Sequence, residues 1–242
     1  MTEIEKINIH PFVVNFINDS DNYGVIESVN NGKNLSELEY YIYSTMFYGI
    51  HLVSLFNQLE NSINLLSNYR NNSKDEIGRG NHFTYNFENY LIRVISISDR
   101  LMQIVNAVYN IGINEKDVSE RIVLNNLKVT NTSLPEKFKE LKNILKIYSG
   151  DRNTIIHRHS IINDELIRIE KLYHPILTQK YIEKSTQEEI ENFKRIRKDA
   201  LKRLIKKTKT DFKKTNEMCF KKIIPILDIL DQEYQKIKTN LS

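Results

Sequence analysis

The sequence predicts an all-α protein, and three observations carry that expectation. Apolar residues recur at threes and fours through several long stretches, the spacing that gathers them on one face of a helix. Only 7 Gly and 4 Pro occur among 242 residues, so helix breakers are scarce. Hydrophobic residues make up 40% and charged residues 27%, the balance of a globular chain that can bury a core without metal or disulfide support. The expected architecture is a bundle of long antiparallel helices followed by a C-terminal helical pair.

Residues 1–34 read as irregular, with room for a short strand or two. Ile7, Ile9, Phe12, Val13, Val14, Phe16 and Ile17 are suited to cover an apolar surface there. Residues 35–70 carry the first strong stripe: Leu35, Leu38, Ile42, Met46, Gly49, Leu52, Phe56, Leu59, Ile63 and Leu66. Ser36 followed by Glu39 has the spacing of a capping box. A helix of this length spans about 50 Å and needs another long helix beside it. The polar run 71–81 reads as a loop. A second helix follows over 84–111, with Phe87, Leu91, Val94, Leu101, Val105 and Val108 on its stripe and Gly112 as its cap. Ser98, Asp99 and Arg100 interrupt it, as a solvated face or as a polar group reaching toward a neighbouring site.

A short helical or irregular piece is expected over 115–130 and a third helix over 134–149, with Pro135 in its first turn. Ser149-Gly150-Asp151 then reads as a break or a kink, with Asp151 able to cap a further helix. Residues 161–184 form a connector with space for a hairpin or extended piece. Residues 186–208 restart a helix, and a last helix follows in which Pro225 is a kink or a first-turn residue. The expected organisation is an N-terminal segment (1–34), a bundle (35–160), a connector (161–184) and a basic C-terminal helical pair packed on the bundle (185–242).

The single cysteine, Cys219, rules out an internal disulfide and a thiolate zinc cluster, and reads as a small core residue. No leader-like or membrane-spanning apolar run is present, which predicts a cytoplasmic protein without a membrane partner. The net charge of +4 is unevenly spread. Residues 194–222 hold thirteen Lys/Arg against three Asp/Glu, a net of +10, leaving −6 for the rest. Such a split points to an anionic partner, RNA or DNA first. Lys198, Lys202, Lys206, Lys209 and Lys213 are the expected RNA-binding residues; the same residues also suit the plain solvated face of an amphipathic helix.

The chemistry is sought in Asp151-Arg152-Asn153-Thr154-Ile155-Ile156-His157-Arg158-His159. On a helix, Asn153 and His157 share a face, while Arg152 and His157 lie about 140° apart. If Asp151 caps that helix, its free N–H groups favour an anion such as phosphate. This set suits phosphodiester cleavage in RNA, where the 2′-hydroxyl is an internal nucleophile and no metal or cofactor is needed. His157 exchanges a proton near neutral pH, Arg152 holds the phosphate bidentately, and Asn153 orients the phosphate or the histidine. A twofold dimer supplies a second histidine. An arginine followed five to seven positions later by a histidine arises about 0.8 times by chance in a chain of this composition. The residues alone therefore leave open that Arg152 pairs with an acid and His157 caps or packs. No HExxH, paired His/carboxylate set or GxxxxGK[ST] is present.

Arg152-Asn153-x-x-x-His157 resembles the Rx4-6H motif of HEPN domains (higher eukaryotes and prokaryotes nucleotide-binding). The segment from Asn89 to Tyr109 is similar to the Clostridium thermocellum-type (Cthe2314-like) subgroup of that family. The resemblance covers roughly residues 35–160. It implies a bundle that dimerises through its motif helices and a metal-independent endoribonuclease, often a toxin or phage-defence effector. On that basis Arg152 is the phosphate ligand, His157 the proton-transfer residue and Asn153 their polar partner, with His159 satisfying the loosest spacing. A regulatory partner protein fits the same expectation. Competing readings are a catalytically silent HEPN module that binds RNA or a protein, and a structural helical assembly protein.

Overall fold

Three short helices open the chain: α1 (Glu3–Asn8), α2 (Pro11–Asn22) and α3 (Val25–Asn30). The computed structural model describes residues 1–69, 78–157 and 164–242, with the backbone alone at 149 and 151–157. The expectation of an irregular or stranded N-terminus is corrected by local capping. Thr2 and Glu5 exchange side-chain bonds with each other's backbone N–H at the start of α1. At the start of α2 the His10 ring accepts from the Phe12 N–H at 3.2 Å, and Pro11 takes the first helical position. Phe12, Val13, Phe16 and Ser20 are then buried at helical spacing.

Two long helices follow, α4 (Glu37–Leu65) and α5 (Arg79–Val108). The expected capping box forms at α4, with the Ser36 N–H donating to Glu39 at 2.7 Å and the Glu39 N–H to Ser36 Oγ at 3.3 Å. The turn after α5 is closed by left-handed Asn110 (φ 44°) and by Asn106, whose amide both accepts from the Ile113 N–H and donates to its carbonyl. Gly112 (φ 82°) lies within that turn rather than at the helix end. The loop expected over 71–81 lies outside the described residues up to position 77. A 3-10 turn (Glu115–Asp117), α6 (Glu120–Leu124) and α7 (Leu127–Thr130) lead to α8 (Leu134–His157). The connector forms α9 (Asp164–Tyr173) and α10 (Pro175–Ile182), so no hairpin is built there. The chain finishes in α11 (Gln187–Leu241). Among the described residues there is no strand, and no helix is long and apolar enough to cross a membrane.

Two expected breaks are absent. Gly150 sits inside α8, where it costs about 1 kcal/mol relative to alanine, too little by itself to end a helix. Pro225 sits inside α11, so the expected C-terminal pair is one helix of 55 residues. An interior proline costs about 3 kcal/mol. Its neighbours Ile223, Ile226 and Leu227 are almost fully buried, and each such side chain returns about 1.5–3 kcal/mol when removed from water.

The chain divides into two compact units: Met1–Gln58, Ile95–Ile147 and Glu217–Ser242 form the first, and Leu59–Val94 with Tyr148–Asn216 the second. In the first unit α11 lies antiparallel to α4, with Tyr234 stacked on Tyr41 at 5.6 Å and Phe220 edge-on to Phe56 at 5.3 Å. Tyr41 donates to the Val108 carbonyl, and Tyr234 to Asp19 at 2.8 Å. α2 crosses α4 at Gly49, where a Cβ would stand 2.6 Å from the buried Phe16 ring. Gly49→Ala is expected to destabilise the fold by about 1–3 kcal/mol despite alanine's better helix propensity, because that ring has no room to retreat. Urea unfolding of the variant checks this.

In the second unit α11 packs on α5 through Phe212, on α9 through Tyr173 and on α10 through Phe193. Thr84 donates to Glu170 at 3.0 Å, tying α5 to α9.

Candidate nucleic-acid interface

Residues 151–157, which hold the motif, are helical and continue α8, which began at Leu134. Asp151 therefore does not stand at a helix start, and the expected anion site on free N–H groups is corrected. Within a helix the backbone N–H groups are already paired. Any phosphate held here has to be held by side chains. The backbone puts Arg152 one turn beyond Tyr148 and His157 one turn beyond Asn153. Arg158 and His159 lie outside the described residues.

Tyr148 fixes the approach to the motif. Its hydroxyl lies 2.8 Å from Thr215 Oγ1 on α11, and its ring meets Tyr90 of α5 edge-on. Tyr90 is fully buried and stacks on Phe212 at 3.6 Å, with ring planes within 10°. Its hydroxyl donates to Asn216 Oδ1 at 2.9 Å and lies 3.1 Å from the Phe212 carbonyl. Asn216 in turn donates to Glu60 of α4 at 2.7 Å. Four helices of this unit are thus joined by one buried polar chain just before the motif. Buried polar groups of this kind are stabilising only when paired, so the chain specifies one arrangement of α8 against α11. Sequence reasoning missed it. The available signal was polar Thr208, Thr215 and Asn216 at helical spacing among buried positions of α11, all at most 5% exposed.

The basic face is carried by α11. Lys198, Lys202, Lys206, Lys209 and Lys213 are three or four residues apart and so fall on one stripe, about 22 Å long. All but Lys209 are classed as exposed. Lys209 donates to Ser67 Oγ at 2.7 Å. Lys198, Lys202, Lys206 and Lys213 form no ion pair with a described residue. Other cations are neutralised: Lys207 by Glu165, Lys221 by Glu217, and Lys222 by Glu140, each within 2.8 Å. The hydrogen bonds from Lys222 and then Lys137 hold the Glu140 carboxyl below its usual range. At the other end α11 starts acidic, with Glu188, Glu189 and Glu191. The stripe from Lys198 to Lys213 therefore carries unpaired positive charge along its length, between an acidic helix start and the paired Lys221 and Lys222.

His10, His82 and the cysteine have structural surroundings. His10 caps α2, and its other ring nitrogen faces Asp228 at 3.1 Å. His82 lies in the first turn of α5, where burial and then Arg79 push its pKa down. Burial raises the Cys219 thiol to about 12, so it is inert.

A family model for Cthe2314-like HEPN matches residues 29–231, most of the chain. The chain belongs to the HEPN family. The HEPN match takes in α9, α10 and most of α11, well past the 35–160 that the motif and the α5 segment suggested. The long basic helix is thus part of the HEPN unit. No curated protein and no solved structure matches the chain. HEPN membership supports an RNA-related role.

Proposed function

We propose that this HEPN protein is a metal-independent endoribonuclease acting in a toxin or phage-defence setting, with an active site completed by a second copy. What supports the reading most is Arg152-Asn153-x-x-x-His157 on a helix that Tyr148 ties to the basic helix α11. In this mechanism the RNA 2′-oxygen attacks the adjacent phosphorus, and the 5′-oxygen of the next nucleotide leaves. One His157 takes the 2′-hydroxyl proton, and His157 of the second copy returns a proton to the leaving oxygen. Arg152 grips the phosphate and offsets the charge that grows on its free oxygens. Asn153, one turn before His157, orients imidazole or phosphate. The lysine stripe supplies sequence-tolerant affinity for the RNA strand.

The test is cleavage of RNA in EDTA. The wild type is expected to leave 2′,3′-cyclic phosphate ends, and Arg152→Ala or His157→Ala to lower the rate by about 100-fold or more while RNA binding persists for His157→Ala. RNA that is bound but left intact by the wild type would assign the protein to RNA binding without catalysis.

A further inference from the structure

Half of α10 is apolar, yet none of its residues is buried. From Pro175 to Ala200 no residue is buried, so α10 and the start of α11 lie outside the core. Their packing on each other is aromatic. The Tyr181 ring lies against Phe193 of α11 at 4.6 Å, tilted by 30°. The Arg197 guanidinium, one turn beyond Phe193, sits over the Phe193 ring at 5.7 Å and over the Tyr173 ring of α9 at 5.2 Å. Tyr173 in turn donates to the Arg197 carbonyl at 3.3 Å. Tyr181 remains 40% exposed, beside Leu177 at 47%. Lys180 precedes it, and Lys184 follows in a turn closed by the Lys184 N–H on the Tyr181 carbonyl at 3.2 Å. Neither lysine forms an ion pair with a described residue. Pinning α10 to α11 accounts for the contact with Phe193. It does not account for a tyrosine left open between two uncommitted ammonium groups.

We propose that Tyr181, backed by Phe193 and Arg197 and flanked by Lys180 and Lys184, is a base-stacking subsite for an unpaired stretch of RNA. The inference rests on the reading of this chain as RNA-binding, and adds where a base is held. An aromatic face in a cationic setting takes any base by stacking, while the lysines meet the neighbouring phosphates. The contacts with Phe193 and Arg197 hold the ring in place beforehand, so little side-chain freedom is lost on binding. A base inside a duplex has both faces covered by its neighbours and cannot use the ring, which selects loops, ends and single strands. The subsite is a neighbour of the lysine stripe and not part of it. Lys198 follows Arg197 directly but lies about 140° around α11 from Phe193. The two contributions are therefore separable. Stacking depends on bases and little on salt, whereas phosphate contacts depend on salt and not on bases.

Binding of the full chain to two uncleavable 2′-O-methyl oligonucleotides tests this, one with ordinary bases and one abasic at its central positions. Both carry the same phosphates. The wild type is expected to hold the base-bearing strand about tenfold more tightly. Tyr181→Leu keeps an apolar contact with Phe193 but has no aromatic face. It is expected to lose about tenfold on the base-bearing strand and nothing on the abasic one, with the salt slope unchanged. Tyr181→Trp is expected to keep the difference. Equal binding of the two strands by the wild type overturns the proposal, as does a wild type that binds neither. A Tyr181→Leu variant that binds the base-bearing strand like the wild type also overturns it, and leaves this face to a protein. Should Tyr181→Leu fail to fold, ultraviolet cross-linking of a 4-thiouracil-bearing strand decides, by whether the base attaches at Tyr181. Cleavage of ordinary RNA is scored apart. A wild type that stacks bases but cuts nothing keeps the subsite and loses the nuclease reading, and the reverse loses the subsite alone.

Discussion

Tyr90→Ala is expected to lower the unfolding free energy by about 3–5 kcal/mol, the range for removing a large buried aromatic. Three losses coincide at this position. The ring is 0% exposed and stacked on Phe212, so its deletion leaves a cavity between α5 and α11. The hydroxyl contact with Asn216 disappears, leaving a buried acceptor whose amide is still committed to Glu60. The edge contact that supports Tyr148 goes as well. Against a typical total of about 5–15 kcal/mol, that loss is a large share of the stability. Tyr90→Phe separates the terms. It keeps the ring and strands only the polar partner, so a smaller cost of about 1–3 kcal/mol is expected. Urea unfolding of both variants gives the comparison, and equal costs would show that the stack contributes nothing.

The second large effect is electrostatic. Replacing Lys198, Lys202 and Lys206 together by glutamate is expected to flatten the salt dependence of RNA binding. On single strands each phosphate contact adds about 0.7 to the slope of log K against log salt, so three lost contacts remove about 2. The fall in affinity should be greatest at low salt and similar for unrelated RNA sequences. Lys207→Glu is the informative control. That ammonium is already hydrogen-bonded to Glu165, which also raises its pKa. It has less free charge to offer a phosphate, and its loss should move the slope less than an unpaired lysine does. A triple variant with an unchanged slope would return the stripe to the role of a solvated helix face.

The helices were legible where their signals are local. Periodic apolar residues located α4 and α5 to within five residues at each end, and Ser36 with Glu39 identified the cap of α4. The N-terminal helices were missed because each is short, leaving too few turns for a 3.6-residue period to stand out. Their caps, Thr2 and the His10-Pro11 pair, were the readable evidence. Gly150 and Pro225 misled in the opposite direction. Both are breakers by intrinsic preference; the cost at Gly150 is only about 1 kcal/mol, and at Pro225 the buried Ile223, Ile226 and Leu227 outweigh a cost of about 3 kcal/mol.

That error at Pro225 had a functional consequence. A chain cut there makes α11 a pendant extension, whereas the continuous helix contributes to both units and lies mostly within the HEPN match. The Arg152, Asn153 and His157 pattern was readable as a string of residue types. Its position inside the long helix α8 was not, since it depended on whether the helix breaks at 150.

The sequence by itself determined that this chain is helical, that it carries a HEPN motif, and that its positive charge is concentrated between 194 and 222, because composition and period are properties of the chain alone. Tertiary structure decided that Tyr90, Tyr148, Thr215, Asn216 and Glu60 meet, and which lysines are already paired with carboxylates. Those contacts join residues up to 156 positions apart. Such encounters depend on how whole helices pack, and no local pattern of residues encodes them.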